Sequence, residues 1–302
     1  MAIEITPVEG MEQLERWVAL HNEIRPDNPA TADAKALVRA HERQRVDLLA
    51  YVDGVPVGTA VVTGDVTSHE TGRPYMQIDV LHAYRGQGVG DALLRAASDR
   101  AREFGHSELT CDADADDAYS LGFLRRRGFV EHARWRELEL DLATVGEDAP
   151  DPPTGVEIAS LAERPELLEG MYGVAREVYP ELSGYLRGYA ESFVGWQAYT
   201  FGAETFLDLT LLAVTADAVI GYATARAYDE KSADSRITVV LPAWRRRGVG
   251  RAIMGAQAAA ARRAGLRRLI AWVRADVGPE RALLGLGFRQ ISEEVEFRGP
   301  LP

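Results

Sequence analysis

The chain has 302 residues, 46% hydrophobic and 26% charged, which suits two ordinary globular domains and excludes a collagenous, low-complexity or grossly disordered polymer. Its formal net charge of -12, from 46 acidic against 34 basic residues, argues against nucleic acid as a main partner, since phosphate backbones need a basic surface, and suits a cationic or amine-bearing substrate. Met1 to Leu20 carries acids where a secretory leader carries bases, and no apolar run approaches a bilayer span; no membrane association is expected, the cytoplasm is the expected compartment, and the single Cys111 excludes an intrachain disulfide.

In chain order, a short strand at Ile3-Glu-Ile5 precedes a helical region from Met11 to about Arg45. Leu48 to Gly58 reads as strand, turn and strand, with Asp53-Gly54 as the hairpin signal. A further strand over Met76 to Val80 ends in an Arg-rich, Gly-containing turn. From it starts a helix whose apolar stripe, Val89, Ala92, Leu93, Ala96, Ala97, Ala101 and Phe104, recurs at the 3.6 period before Gly105. A strand over Ser107 to Cys111, a short helix, the dipeptide Gly128-Phe129 and a last strand complete the first half.

Residues 146–155 have no periodicity, three prolines and several acids, so they read as a linker between domains at 1–145 and 156–302. The second half then repeats the first. Val156-Glu-Ile158 is its opening strand, Leu161 to about Phe193 its helical region, and Leu211 to Gly221 its strand pair, with Ala216-Asp217-Ala218 at the turn. Val249, Ala252, Ile253, Ala256, Ala260 and Ala264 form the second helical stripe, ended by Gly265; Arg267 to Val273 and Gly287-Phe288 follow. Arg85 and Arg245 stand 160 residues apart, and the two Gly-Phe dipeptides 159 apart. Ordered matches at a nearly constant offset indicate one mixed α/β fold used twice.

The repeated turn is Arg85-Gly86-Gln87-Gly88-Val89-Gly90-Asp91 in the first half and Arg245-Arg246-Arg247-Gly248-Val249-Gly250-Arg251 in the second. A helix N-terminus presents unpaired N–H groups and partial positive charge, glycines admit a phosphate close to the backbone, and arginine supplies forked donors. The dinucleotide fingerprint fails, because its third glycine would be Asp91 and the second copy has Arg246 in place of its first. A P-loop fails for want of Gly-Lys-Ser/Thr.

What the copies share, Arg-x-x-Gly-x-Gly between a strand and an amphipathic helix with Gly-Phe about 40 residues on, resembles the GNAT acyltransferase superfamily, most strongly over residues 76–130 and 236–289. The resemblance implies a mixed sheet whose two central parallel strands splay to admit acetyl-CoA. The backbone at Val80, Leu81 and His82, and at Val240, Leu241 and Pro242, would pair with pantetheine, and residues 85–91 and 245–251 would cradle the diphosphate. It also implies an acetyl-CoA-dependent N-acetyltransferase acting on a primary amine of a small molecule or peptide, with one domain or both active.

Two positions depart from the family pattern. A tyrosine often placed to protonate the departing thiolate is Leu124 and Leu283 here, and a frequent asparagine is Asp117 and Asp276. These departures leave open a catalytically silent acyl-CoA sensor or scaffold. Asp79, opposite in parity to Met76, Ile78 and Val80 and replaced by Val239 in the second copy, is a candidate base; Tyr119 is a candidate for the missing acid. Asp112, Asp114 and Asp116 alternate as in a calcium loop, but Asp117 and Phe123 stand where that loop needs Gly and Glu, so no metal is expected. Trp135, Trp196 and Trp272 are expected as core or interface fillers.

Overall fold

A computed structural model describes residues 2–26, 28–42, 44–64, 74–146, 149–182, 190–202, 204–216 and 218–302. Its contacts cluster into two compact units, residues 1–132 with 295–302, and residues 133–294. In unit 1 the strands are β1 (Ile3–Pro7), β2 (Arg45–Val52), β3 (Val55–Thr63), β4 (Tyr75–Val80) and β5 (Glu108–Asp114), and the helices α1 (Gly10–Ile24), α2 (Ala32–His41), α3 (Val89–Glu103) and α4 (Ala118–Arg125). Strand β6 (Val130–Asp141) leads into unit 2. There β7 (Glu157–Ser160), α5 (Leu168–Leu182), α6 (Phe193–Thr200), β8 (Leu211–Val214), β9 (Val219–Asp229), β10 (Ser232–Val240), α7 (Val249–Arg263), β11 (Arg268–Arg274) and α8 (Gly278–Leu284) follow, and β12 (Arg289–Pro300) ends the chain.

The contiguous domains 1–145 and 156–302 expected from the repeat are not these units, because each unit takes its last strand from the other half of the sequence. Leu138 and Leu140 of β6 and the adjoining Leu142 lie in the core of unit 2, whereas Val295 and Phe297 of β12 lie in the core of unit 1. An alternating strand pattern specifies a buried face and not the sheet that will bury it. Nor is the described part of 146–155 a free linker: Pro150 fills the space a side chain at Gly255 would need, and Pro153 lies against Gly248. Residues 147 and 148 fall outside the description.

In unit 1, β1 to β4 form an antiparallel meander, and β4 then pairs with β5 in parallel at one position, Tyr75 with Thr110. In unit 2, β7 to β10 repeat the meander, and β10 pairs with β11 in parallel only over Ser232 to Asp234. Past these contacts the parallel strands part, so in each unit the end of the inner strand, Val80 or Val240, lies beyond the last rung. The splay expected from the family resemblance is thus present twice.

Each central helix packs on one sheet face. Val89, Leu93, Leu94, Ala97, Ser98 and Ala101 are the buried residues of α3, and Gly105, at φ 90, ends it; αL geometry at that position is readily adopted by glycine. The helical region predicted over Met11 to Arg45 is two helices, broken where Arg25 leaves helical geometry ahead of Pro26. The Asn22 side chain clasps the connection, donating to the Ala30 carbonyl and accepting from its N–H. In the second half, residues 183–189 of the predicted helical region and Asp217 of the predicted turn lie outside the description; Thr215 and Ala218 close that turn by a backbone bond of 2.9 Å. Of the three alternating acids, Asp112 and Asp114 belong to β5. Trp196 is fully buried as expected, but Trp272 is 41% exposed, because it alternates with Ala271 and Val273, which take the buried face of β11. Among the described residues, no helix is long and apolar enough to cross a membrane.

Candidate functional site

The two turns have nearly superimposable backbones. Gly88 caps α3 at φ 89, ψ -5, and Gly248 caps α7 at φ 88, ψ -5; neither helix has a side-chain N-cap. Their leading amides are therefore left for an outside acceptor. Gly86 lies at φ 75 and its counterpart Arg246 at φ 60. The second turn thus keeps the fold of the first with a non-glycine residue in a region that costs L-residues about 1–2 kcal/mol.

Around this backbone the side chains differ. Val89 and Val249 are buried and can offer only their amides. Gln87 turns back to donate to the Ala83 carbonyl, and Asp91 is neutralised by Arg127, whose Nε donates to it at 2.6 Å. Gly90 packs closely, since a Cβ there would stand 3.0 Å from the Phe123 ring. His82 is exposed, in the single 3-10 turn after β4. Arg85 and Arg245 each donate from Nε to the carbonyl that ends the inner strand, Val80 or Val240. Within the backbone segments expected to pair with pantetheine, the Leu81 and Leu241 amides donate at 2.9 Å to the Val57 and Ile220 carbonyls. Unit 2 collects more charge, from Arg245, Arg246, Arg247 and Arg251, but Glu181 of α5 holds Arg245 at 2.8 Å.

The donor set fits a diphosphate ester such as that of coenzyme A: an uncapped helix N-terminus, an αL glycine where a side chain would obstruct, and arginine beside it. A cavity of about 410 Å³ in unit 2 is lined by Ile158, Glu163, Leu211, Ala260 and Arg263 among others. It lies toward the opposite end of α7, away from the turn.

Asp79 projects from β4 to the face covered by α1, opposite Thr59 in register, while Ile78 and Val80 pack toward α3. It is 9% exposed, accepts from Gln77 Nε2 at 2.6 Å and lies 3.6 Å from Arg25 at the end of α1. His21, one helical turn before Arg25, is buried and stacked on Trp17 with centroids 5.0 Å apart. Burial pushes its pKa down, although the Asn28 carbonyl and the charge of Asp79 push the other way. Lys35, with Nζ 5.4 Å from the Trp17 ring centre, is also held below its usual pKa, by burial and then by Arg45. Deeper in the same face, Asp47 takes ion pairs from Arg39 at 3.3 Å and Arg45 at 2.9 Å. Sequence reasoning missed His21, Arg25 and Lys35, which carry no motif and stand far from Asp79 in the chain.

The equivalent face of unit 2 is chemically different. Val239 pairs with Tyr222 where Asp79 pairs with Thr59. The Tyr222 hydroxyl donates to that of Tyr179 at 2.8 Å, both rings are fully buried, and Trp196 packs beside them between Tyr172, Phe193 and Phe201. Burial pushes both tyrosine pKa values up.

Tyr119 does not join Asp79. Its hydroxyl accepts the Gly86 N–H at 2.8 Å, within the phosphate turn. Asp117 caps α4, accepting from the Tyr119 and Ser120 amides and the Ser120 hydroxyl. Burial pushes the Asp117 pKa up, but these bonds and Arg85 outweigh it and hold the carboxyl low. Leu124 and Leu283 are both buried in apolar cores, and burial keeps the Cys111 thiol protonated.

The family described as Acetyltransferase (GNAT) matches residues 12–129 and 168–288. A GCN5-related N-acetyltransferase from Sphaerobacter thermophilus shares the fold at TM-score 0.72 and 19% identity, over 99% of this chain and 96% of that one. A tandem GNAT protein from the clavulanic acid biosynthesis pathway aligns at TM-score 0.74 and 17% identity, over 100% and 99% of the two chains. N-alpha-acetyltransferase 30 of Schizosaccharomyces pombe is 28% identical over 79 residues, 26% of this chain and 53% of that protein, so the chain spans about half the length of that relative. Two matched regions, each carrying its own splay and its own glycine-capped helix, make this chain a tandem member of the GNAT acetyltransferase family.

Proposed function

We propose that the chain is an acetyl-CoA-dependent N-acetyltransferase, acting in the cytoplasm on a primary amine of a small molecule or peptide, with its catalytic centre in unit 1. The observation that carries this reading is Asp79, a nearly buried carboxylate near the end of the splayed inner strand, six residues before Arg85 begins the phosphate turn. Bound with its diphosphate on the amides after Gly88, acetyl-CoA would supply the acetyl thioester between β4 and β5. Asp79 would hold the incoming ammonium and take its first proton, leaving the nitrogen lone pair free to attack. The new N–C bond would form as the C–S bond breaks, coenzyme A would leave as its thiolate, and the second proton of the acylated nitrogen would pass to solvent, from which the thiolate is protonated. Leu124, at the position where many relatives have a tyrosine acid, has no proton to give, so the scheme assigns the thiolate no side-chain acid there.

A specific observation favours a second, silent role for unit 2. Its arginine-rich turn retains the anion geometry, while Val239, Tyr222, Tyr179 and Trp196 occupy the face where a base and an acceptor would sit. Unit 2 is accordingly read as an acyl-CoA-binding unit without turnover.

The test is calorimetry with coenzyme A, combined with thiol release from acetyl-CoA across a panel of amines. We expect binding, thiol release with at least one amine, and a larger loss of turnover in Gly88→Val than in Gly248→Val. Absence of any heat with coenzyme A, or the reverse ranking of the two variants, would overturn the reading.

A further inference from the structure

We infer that Tyr119 is a cofactor-reading residue confined to unit 1, which extends the phosphate turn with an O–H donor aimed at the diphosphate and takes no part in the acyl transfer. The inference rests on the reading that unit 1 holds coenzyme A.

Two contacts hold the ring at the turn, and a third holds its backbone. The hydroxyl accepts the Gly86 N–H at 2.8 Å. The Arg85 guanidinium lies 5.5 Å from the ring centre while its Nε is bonded to the Val80 carbonyl. The backbone of Tyr119 is fixed from below, where Asp117 accepts its N–H at 3.0 Å. A phenol that accepts one bond keeps its own proton to donate. Tyr119 is 45% exposed, so a ligand can reach its side chain, and an O–H to phosphate bond is of the stronger, charge-assisted kind. The ring also holds the Arg85 guanidinium beside the turn, where its charge is shared with the Asp117 carboxylate.

Unit 2 reaches the same end by another route. Gly278 stands at the position equivalent to Tyr119, and Arg246 replaces Gly86 in the same left-handed conformation. The leading Arg245 is tied to Glu181, and Arg246, Arg247 and Arg251 supply the remaining charge. Unit 1 therefore reads the diphosphate through a directed hydroxyl, and unit 2 through clustered charge.

The experiment compares Tyr119→Phe with the unaltered full chain, using coenzyme A in calorimetry and acetyl-CoA and acetylpantetheine, which lacks the diphosphate, as acyl donors. One of the two coenzyme A affinities should weaken about tenfold, the loss expected of a single hydrogen bond to a charged group. The KM for acetyl-CoA should rise by a similar factor, with kcat at saturation and the rate with acetylpantetheine held within about twofold. A fall in kcat at saturating acetyl-CoA, or equal damage with acetylpantetheine, would return Tyr119 to the reacting end and overturn the inference. So would an unchanged affinity or a tighter one, the latter marking the hydroxyl as a placeholder that the phosphate displaces. Coenzyme A heat absent from the unaltered chain would instead sink the functional reading beneath it. Because the side chain is half exposed and the Asp117 cap is backbone-directed, the melting temperature serves as the folding control and should not move.

Discussion

Asp79→Asn removes the charge and the basicity at the centre of unit 1 while keeping the shape. The Gln77 Nε2 bond, 2.6 Å in the structure, can persist to the amide oxygen. The Arg25 contact is long, at 3.6 Å, and Arg25 is 38% exposed, so solvent-screened loss of that pair costs at most about 0.5 kcal/mol. Relief from burying a carboxylate offsets part of it, and the melting temperature should stay within about 2 °C. The chemical loss is far larger, because a positioned general base contributes about 10²–10⁴ in rate. Thiol release at saturating acetyl-CoA should therefore fall at least about a hundredfold, with coenzyme A affinity unchanged. The residual rate should climb about tenfold per pH unit below the pKa of the amine, since the acceptor must then arrive already deprotonated. A variant that turns over within about threefold of the parent, at unchanged coenzyme A affinity, would refute the assignment of Asp79 as base.

Other outcomes follow from the same geometry. Gly248→Val places a β-branched residue at φ 88; it should destabilise the chain by about 1–2 kcal/mol or more and reduce the calorimetric stoichiometry for coenzyme A from two to one. Arg246→Gly relieves a left-handed non-glycine residue and should raise the urea midpoint slightly, by up to about 1 kcal/mol of stability, while weakening coenzyme A at unit 2 in low salt. Glu181→Gln frees Arg245 and should tighten unit 2 for coenzyme A about two- to threefold at low ionic strength, an advantage that high salt removes. Burial holds the native His21 pKa below its ordinary 6.5. As pH falls below that value the unfolded chain gains a proton that the native state refuses, so stability present above it is lost on acidification. His21→Gln should flatten the acid limb of the urea midpoint between about pH 7 and 5, and an unaltered slope would count against a buried neutral His21.

The sequence by itself determined whatever is written in neighbouring residues. Arg-x-x-Gly-x-Gly predicts an uncapped helix N-terminus because glycine's left-handed preference and the start of an apolar stripe are local properties, and Gly88 and Gly248 take that geometry. The parity of Asp79 along its strand was equally legible, since side chains alternate about a pleated backbone whatever lies above it. Tertiary structure alone decided the rest, because each of those features joins residues remote in the chain. Only packing brings His21, Arg25 and Lys35 around Asp79 and seats the Tyr119 hydroxyl on Gly86, 33 residues away. Only backbone context makes Arg246 adopt the conformation of Gly86. The destination of β12 depends on which apolar face is left uncovered, and that vacancy is created by strands at the opposite end of the sequence, where no local pattern can record it.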